Sequence, residues 1–170
     1  NVSSAPNTNG ELSPEVVEQV KKQVTAYEEA LASTPEDVDK LRGAAESYVV
    51  LEDYTAAIPL LKRLLEIQPS VENVGNLADV YAANGSRAKA AEVYRDAVNA
   101  EWSGDTPPPA LVKGLVDALD KDGRYGLSLE YVKKFRENGQ VDDVDGALLE
   151  ARVYSGWKGH SKEAEAAYQD

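Results

Sequence analysis

Apolar residues recur along most of this chain three and four positions apart, the spacing of one face of an α-helix. The first stripe is Val16, Val17, Val20, Val24, Tyr27, Ala30 and Leu31. Ser13-Pro14 opens it as an N-cap and a first-turn proline, with Glu15 and Glu18 near the positive end, and Thr34-Pro35 closes it. A second stripe, Leu41, Ala44, Ala45 and Tyr48, runs to a turn at Glu52-Asp53-Tyr54. A third, Ala57, Ile58, Leu61, Leu64 and Leu65, ends on Pro69. Pro59 falls inside it and is expected in the first turns, where a missing N–H costs little. No sustained run alternates Val, Ile or Thr with polar residues, so no strand is predicted.

The pattern then repeats. Leu41, Ala45, Tyr48, Tyr54, Ala57, Leu61 and Leu64 are followed by Val74, Ala78, Tyr81, Gly85, Ala90, Tyr94 and Ala97. The pairs Ala45 and Ala78, Tyr48 and Tyr81, Ala57 and Ala90, and Leu61 and Tyr94 are each 33 positions apart. Asn84-Gly85 supplies the turn of the second unit. The chain therefore divides into a flexible segment over 1–12, a half repeat over 13–35, and repeats over about 36–69, 70–101, 108–139 and 142–170. Ser103 to Pro109 is an irregular proline-rich connection, with Trp102 before it expected to pack on the next helix. The third repeat carries Val112, Leu115, Val116, Leu119, Gly123, Tyr125, Ser128, Val132 and Phe135, and Asn138-Gly139 stops it. The fourth is expected to bury Leu148, Ala151 and Tyr154 before a turn at Trp157-Lys158-Gly159-His160. Ala164, Ala167 and Tyr168 begin a last helix unfinished at Asp170, so the natural protein is expected to continue. The chain starts at Asn1 rather than Met, and an upstream targeting segment is expected to have been removed.

A period near 34 residues with two helices per unit resembles the tetratricopeptide repeat, over residues 14–170. The resemblance implies an all-α fold: a right-handed α-α superhelical solenoid of antiparallel helix pairs, about nine helices in all. Pro35-Glu36-Asp37-Val38, Gly114 to Leu119, and Leu148 to Trp157 are similar, in this order, to chloroplast tetratricopeptide proteins of the Slow Green type. Glu150, where an apolar residue is usual, and an insertion after Trp157 depart from that pattern. The narrower resemblance implies a chloroplast protein, stromal or thylakoid-associated, that assists thylakoid biogenesis by binding other proteins. A cytoplasmic protein is the alternative location.

The charge balance narrows the partners. Lys+Arg 18 against Asp+Glu 30 gives a net charge of -12, which disfavours nucleic acid and anionic lipid and favours a basic or polar protein segment. One His and no Cys exclude the usual zinc ligand sets. No apolar run is long enough to span a membrane. No glycine-rich phosphate loop is present, and His160 reads as a solvent-exposed turn residue rather than the base of a nucleophilic pair. Neither an enzyme nor a cofactor is expected.

In a helical-repeat array the first helix of each repeat lines the inner wall. That places Asp39, Arg42 and Glu46 on the wall from the first repeat, Glu72, Asn76 and Asp79 from the second, and Lys113, Asp117 and Asp120 from the third. Glu46, Asp79 and Asp117 each follow the small packing position (Ala45, Ala78, Val116) and are expected to form a row of carboxylates. A clamp for a partner's C-terminal carboxylate is not expected. Only Asn76 matches it, Arg42 substitutes in part, and Gly114 stands where a cation is needed. The expected role is a protein-binding scaffold, the alternative a subunit packed permanently in a larger complex.

Overall fold

The computed structural model describes residues 12–100 and 107–167. The expectations for residues 1–11, for Trp102 and the connection up to Thr106, and for Tyr168 to Asp170 lie outside the described residues. Among the described residues all regular structure is helical: α1 (Pro14–Ser33), α2 (Val38–Val50), α3 (Tyr54–Ile67), α4 (Val71–Ala83), α5 (Arg87–Asn99), α6 (Pro109–Lys121), α7 (Tyr125–Glu137), α8 (Asp143–Gly156) and α9 (Ser161–Ala167). The chain forms two compact units, one ending at Asn73 and the other starting at Val74.

Side-chain caps start α1, α2, α3, α4 and α8. The Val16 N–H donates to Ser13 Oγ at 3.4 Å, Lys40 N–H to Asp37 at 3.0 Å, and Ala56 N–H to Asp53 at 3.1 Å. Asn73 N–H donates to Ser70 Oγ at 3.1 Å and Asp145 N–H to Asp142 at 2.7 Å. Each satisfies a backbone donor that the helix leaves unpaired.

In the first unit α2 packs between α1 and α3. Leu41, Ala44, Ala45, Ala57, Leu61, Leu64 and Val24 are its buried apolar residues. The rest of the α1 stripe is only half-buried. The Tyr48 hydroxyl of α2 donates to the Glu28 carboxylate of α1. That bond, with burial and the Glu28 charge, pushes the Tyr48 pKa up to about 12.

In the second unit α5 packs on α6, α6 on α7 and α8, α7 on α8, and α8 on α9. Leu111, Val112, Leu115 and Val116 of α6 are wholly buried. Val116, Val132, Leu149 and Val153 join α6, α7 and α8 in one apolar cluster.

Three expectations are corrected here. Pro59 is the sixth residue of α3, in its second turn and past the residues whose N–H the helix leaves unpaired, so a hydrogen bond of the helix interior is missing and the proline is not cost-free. Its side chain is exposed, which spares it a clash with the core. Leu148 is not in the core: it is 51 % exposed, whereas Leu149 is 5 % exposed. Val144, Leu148 and Arg152 lie on one i, i+4 line of α8, and that line faces outward. His160 is not a solvated turn residue. Its ring stacks on Trp157 at 4.1 Å, and the stack runs on to Tyr125 on one side and Tyr154 on the other. His160 Nδ1 is enclosed without a hydrogen-bond partner.

Four helices end through a residue in the left-handed region. Asp53 N–H reaches back to Tyr48 O at 2.9 Å, Ser86 to Tyr81 at 2.8 Å, Arg124 to Leu119 at 2.9 Å and Gln140 to Phe135 at 2.8 Å. This closure needs a positive φ at the residue before the donor. Gly85, Gly123 and Gly139 supply it, but in the first repeat the position is Glu52, with φ 57°. An L side chain is strained there by roughly 1–2 kcal/mol. Glu52→Gly is expected to raise stability by about 1 kcal/mol, partly offset by greater freedom of the unfolded chain. A urea midpoint that falls in the variant would contradict this account.

Candidate protein-binding surface

The second unit contains a cleft of about 190 Å³ between α4, α5 and α6. Small residues make the space: Ala78 and Ala82 on α4, Ala90 on α5, Gly114 and Ala118 on α6. Tyr94 of α5 adds an aromatic wall, Asp79 and Asp117 contribute carboxylates, and Arg87 and Lys121 contribute cations.

The position of Tyr94 depends on Gly114. A Cβ on Gly114 would overlap Tyr94 Cε1 and lie 2.6 Å from Cζ, so the ring rests on bare helix backbone. The first unit repeats the arrangement: a Cβ on Gly43 would lie 2.5 Å from Tyr27 Cζ. Gly43 and Gly114 hold the same place in their repeats, and each faces a tyrosine of the preceding helix. This also explains why Gly114 cannot be replaced by the cation of a carboxylate clamp.

The carboxylates and Tyr94 act on one another. Burial raises the Tyr94 pKa, and Asp79 and Asp117 raise it further. Asp117 Oδ1 also lies 2.5 Å from Arg152 Nη2 of α8. Arg152 follows Ala151 just as Asp117 follows Val116, so the row that reads Asp79, Asp117 in α4 and α6 ends on a cation in α8. Arg87 Nη1 donates to the Lys121 carbonyl at 3.3 Å, tying the start of α5 to the end of α6. Asp120 is half-buried beside this group. Burial raises its carboxyl above the usual range and Asp117 adds to the rise, while Ser128 and Arg152 pull the other way. Its Oδ1 is enclosed and has no hydrogen-bond partner.

In the first unit Arg42 is a hub. Its guanidinium reaches Glu72 at 3.3 Å, Asn73 Oδ1 at 3.4 Å and Gln68 Oε1 at 3.4 Å. Asn73, 1 % exposed, in turn donates to the Gln68 carbonyl at 2.8 Å. The wall cation and the wall acid thus neutralise each other across α2 and α4. Asp39 and Glu46 are exposed in this unit. Of the remaining wall residues, Asn76 is half-buried in the second unit, and Lys113 edges a crevice with Gln140, Asp142 and Asp145.

The structure therefore brings Arg42 and Glu72 together, and separately Asp79, Asp117 and Asp120. Glu46 belongs to the other unit from Asp79 and Asp117. Sequence reasoning placed Tyr94 in the repeat pattern but not in a site, and assigned no site role to Arg87, Lys121 or Arg152. Only Arg152 carried a sequence signal, its register with Asp117. Among the described residues no group of His, Cys, Asp or Glu is placed to hold a metal ion, and no helix is long and apolar enough to cross a membrane.

No protein-family model matches the sequence, and no curated protein matches it. Solved structures do match. The crystal structure of MamA superposes with a TM-score of 0.60 at 17% identity, covering 97% of this chain and 92% of that one. The nearly identical TPR-like repeats of a Podosopora anserina protein named as a kinesin light chain give 0.58 at 18% identity, over 89% and 85%. YrrB, a TPR protein with an unusual peptide-binding site, gives 0.55 at 17% identity, over 91% and 78%. The fold is that of the tetratricopeptide helical repeats.

Gly114 and Asp120 yield two expected outcomes. An alanine inside a helix ordinarily stabilises it by up to about 1 kcal/mol over glycine. Gly114→Ala is expected to do the reverse, losing roughly 1–3 kcal/mol through overpacking against Tyr94, with Tyr94→Leu recovering part of the loss. Thermal melts of the single and double variants decide it, and a stabilised single variant would refute the contact. For Asp120 the raised pKa means that the folded state holds its proton more tightly than the unfolded state. Stability is then lost as pH rises from the ordinary Asp range, about 3.9, through the raised value. Asp120→Asn is accordingly expected to melt higher than the parent at pH 7, with the gain shrinking on acidification below that range. A lower melting temperature at pH 7 would show that the ionised carboxylate is stabilising.

Proposed function

We propose that the protein is a scaffold that binds a segment of another protein against the first-helix faces of its repeats. The observation that carries this reading is the cleft between α4, α5 and α6. Its small residues leave room beside an aromatic ring and two carboxylates. The helical-repeat fold supports the same reading, since such folds present extended binding surfaces. The peptide-binding site of YrrB is a precedent for the fold. The net charge of -12 favours a basic or polar segment. The resemblance to Slow Green-type proteins extends the proposal to the chloroplast, with thylakoid biogenesis as the process served.

Permanent packing in a larger complex is the second reading. Val144 and Leu148, 68 % and 51 % exposed side by side on α8, favour it.

One experiment separates these readings. A photo-crosslinking amino acid at Ala82, in the cleft, and another at Leu148 are introduced into the full-length protein in plastid-bearing cells. Salt-sensitive cross-links from position 82 to a second protein are the expected result, with a fluorescent fusion coinciding with chlorophyll. Cross-links from position 148 alone, in a complex that resists high salt, would favour the permanent subunit. A fusion excluded from plastids would end the chloroplast proposal.

A further inference from the structure

Resting on the scaffold reading, we infer that the cleft seats an arginine side chain of the partner between Asp79 and Asp117 and against Tyr94, and that Arg152 competes with it for Asp117. The cleft is too small for a partner helix, which measures about 10–12 Å across with its side chains. A single extended side chain fits it. Ala78, Ala82, Gly114 and Ala118 place no long group in the way.

Charge complementarity names the chemistry. Asp79 is exposed and makes no ion pair among the described residues. Asp117 already holds a guanidinium, that of Arg152, at 2.5 Å, so the chain itself shows what this carboxylate accepts. The two side chains are 47% and 45% exposed. An ion pair so open to water shifts an equilibrium by no more than about five-fold, and an incoming arginine can replace it at little cost. A planar guanidinium suits the seat better than an ammonium, because it forks onto carboxylates and stacks on aromatic rings. Arg87 and Lys121 on the cleft lining repel a continuous basic run, which favours an isolated arginine.

The test uses a dye-labelled Gly-Ser peptide with arginines four residues apart, and its lysine counterpart, read by fluorescence anisotropy on the whole chain. The arginine peptide is expected to bind more tightly than the lysine peptide. Asp79→Asn is expected to weaken it, and Arg152→Gln to strengthen it, each roughly two- to five-fold. Arg63→Gln, an exposed site on α3 with the same charge change, is the control and is expected to have a smaller effect. Circular dichroism melts confirm that each variant is folded, and Arg152→Lys, which keeps the charge, is expected to fall between parent and Arg152→Gln.

Equal strengthening by Arg152→Gln and Arg63→Gln would overturn the competition, leaving only net charge. An unchanged affinity in Asp79→Asn would overturn the seat. If either occurs while position 82 still cross-links to a partner, the arginine seat fails and the scaffold reading stands. If the cross-links are lost too, the scaffold reading itself fails.

Discussion

A tyrosine ring lying on a glycine backbone sets how closely helices approach in each unit. Tyr27 rests on Gly43 in the first unit and Tyr94 on Gly114 in the second. The large residue and the missing one stand in matching places of their repeats, so the contact is a single solution used twice. Close approach then requires small residues nearby, and Ala44, Ala45, Ala78 and Ala90 are buried accordingly. Where α7 and α8 meet, the same two places carry Val132 and Leu149, which share a cluster instead. The contact is thus made by two mid-sized apolar side chains instead of one large ring and a bare backbone.

The α7–α8 contact also carries a polar substitution. Glu150 occupies the place that Ala44, Leu77 and Leu115 take in the other first helices. It meets Arg136 at 2.9 Å, and Arg136 reaches Asp143 at 3.6 Å. The Arg136 stem occupies the space that a Cβ on Gly146 would need. Here, too, a glycine admits a long side chain. Removing one partner would strand the other in a partly dry place, which costs more than the intact pair contributes. The departure at Glu150 is thus compensated by a neighbouring helix, a partner that α8 alone does not supply.

The same geometry shapes the proposed binding surface. Laying Tyr94 on Gly114 gives the cleft its aromatic wall, and the small residues of the crossing give it depth. Asp79 follows Ala78 and Asp117 precedes Ala118, so both line it beside those small residues. Packing and the proposed recognition therefore share residues, and Gly114 serves both. Arg152, one repeat further, returns a positive charge to the row and moderates the acidic field that composition alone would suggest.

Most of the secondary structure was legible in the sequence, because helical periodicity, caps and turn residues are local. Ser13, Gly85 and Gly139 marked ends without any tertiary information. That Pro59 lies past the unpaired N–H groups of α3 was not legible, since periodicity locates a helix better than its first residue. Leu148 and Leu149 could not be told apart locally: neighbours in α8 point in different directions, and only packing against α6 and α7 selects Leu149. His160 looked like a turn residue until Trp157 and Tyr154 closed on it. The acidic register of Asp79 and Asp117 was visible, because it repeats with the helices. That Asp117 is held by Arg152, that Arg42 is held by Glu72, and that Tyr94 lines the cleft were decided by tertiary structure alone. Ion pairs and ring contacts join side chains from different helices, and their partners are set by how those helices pack rather than by spacing along the chain.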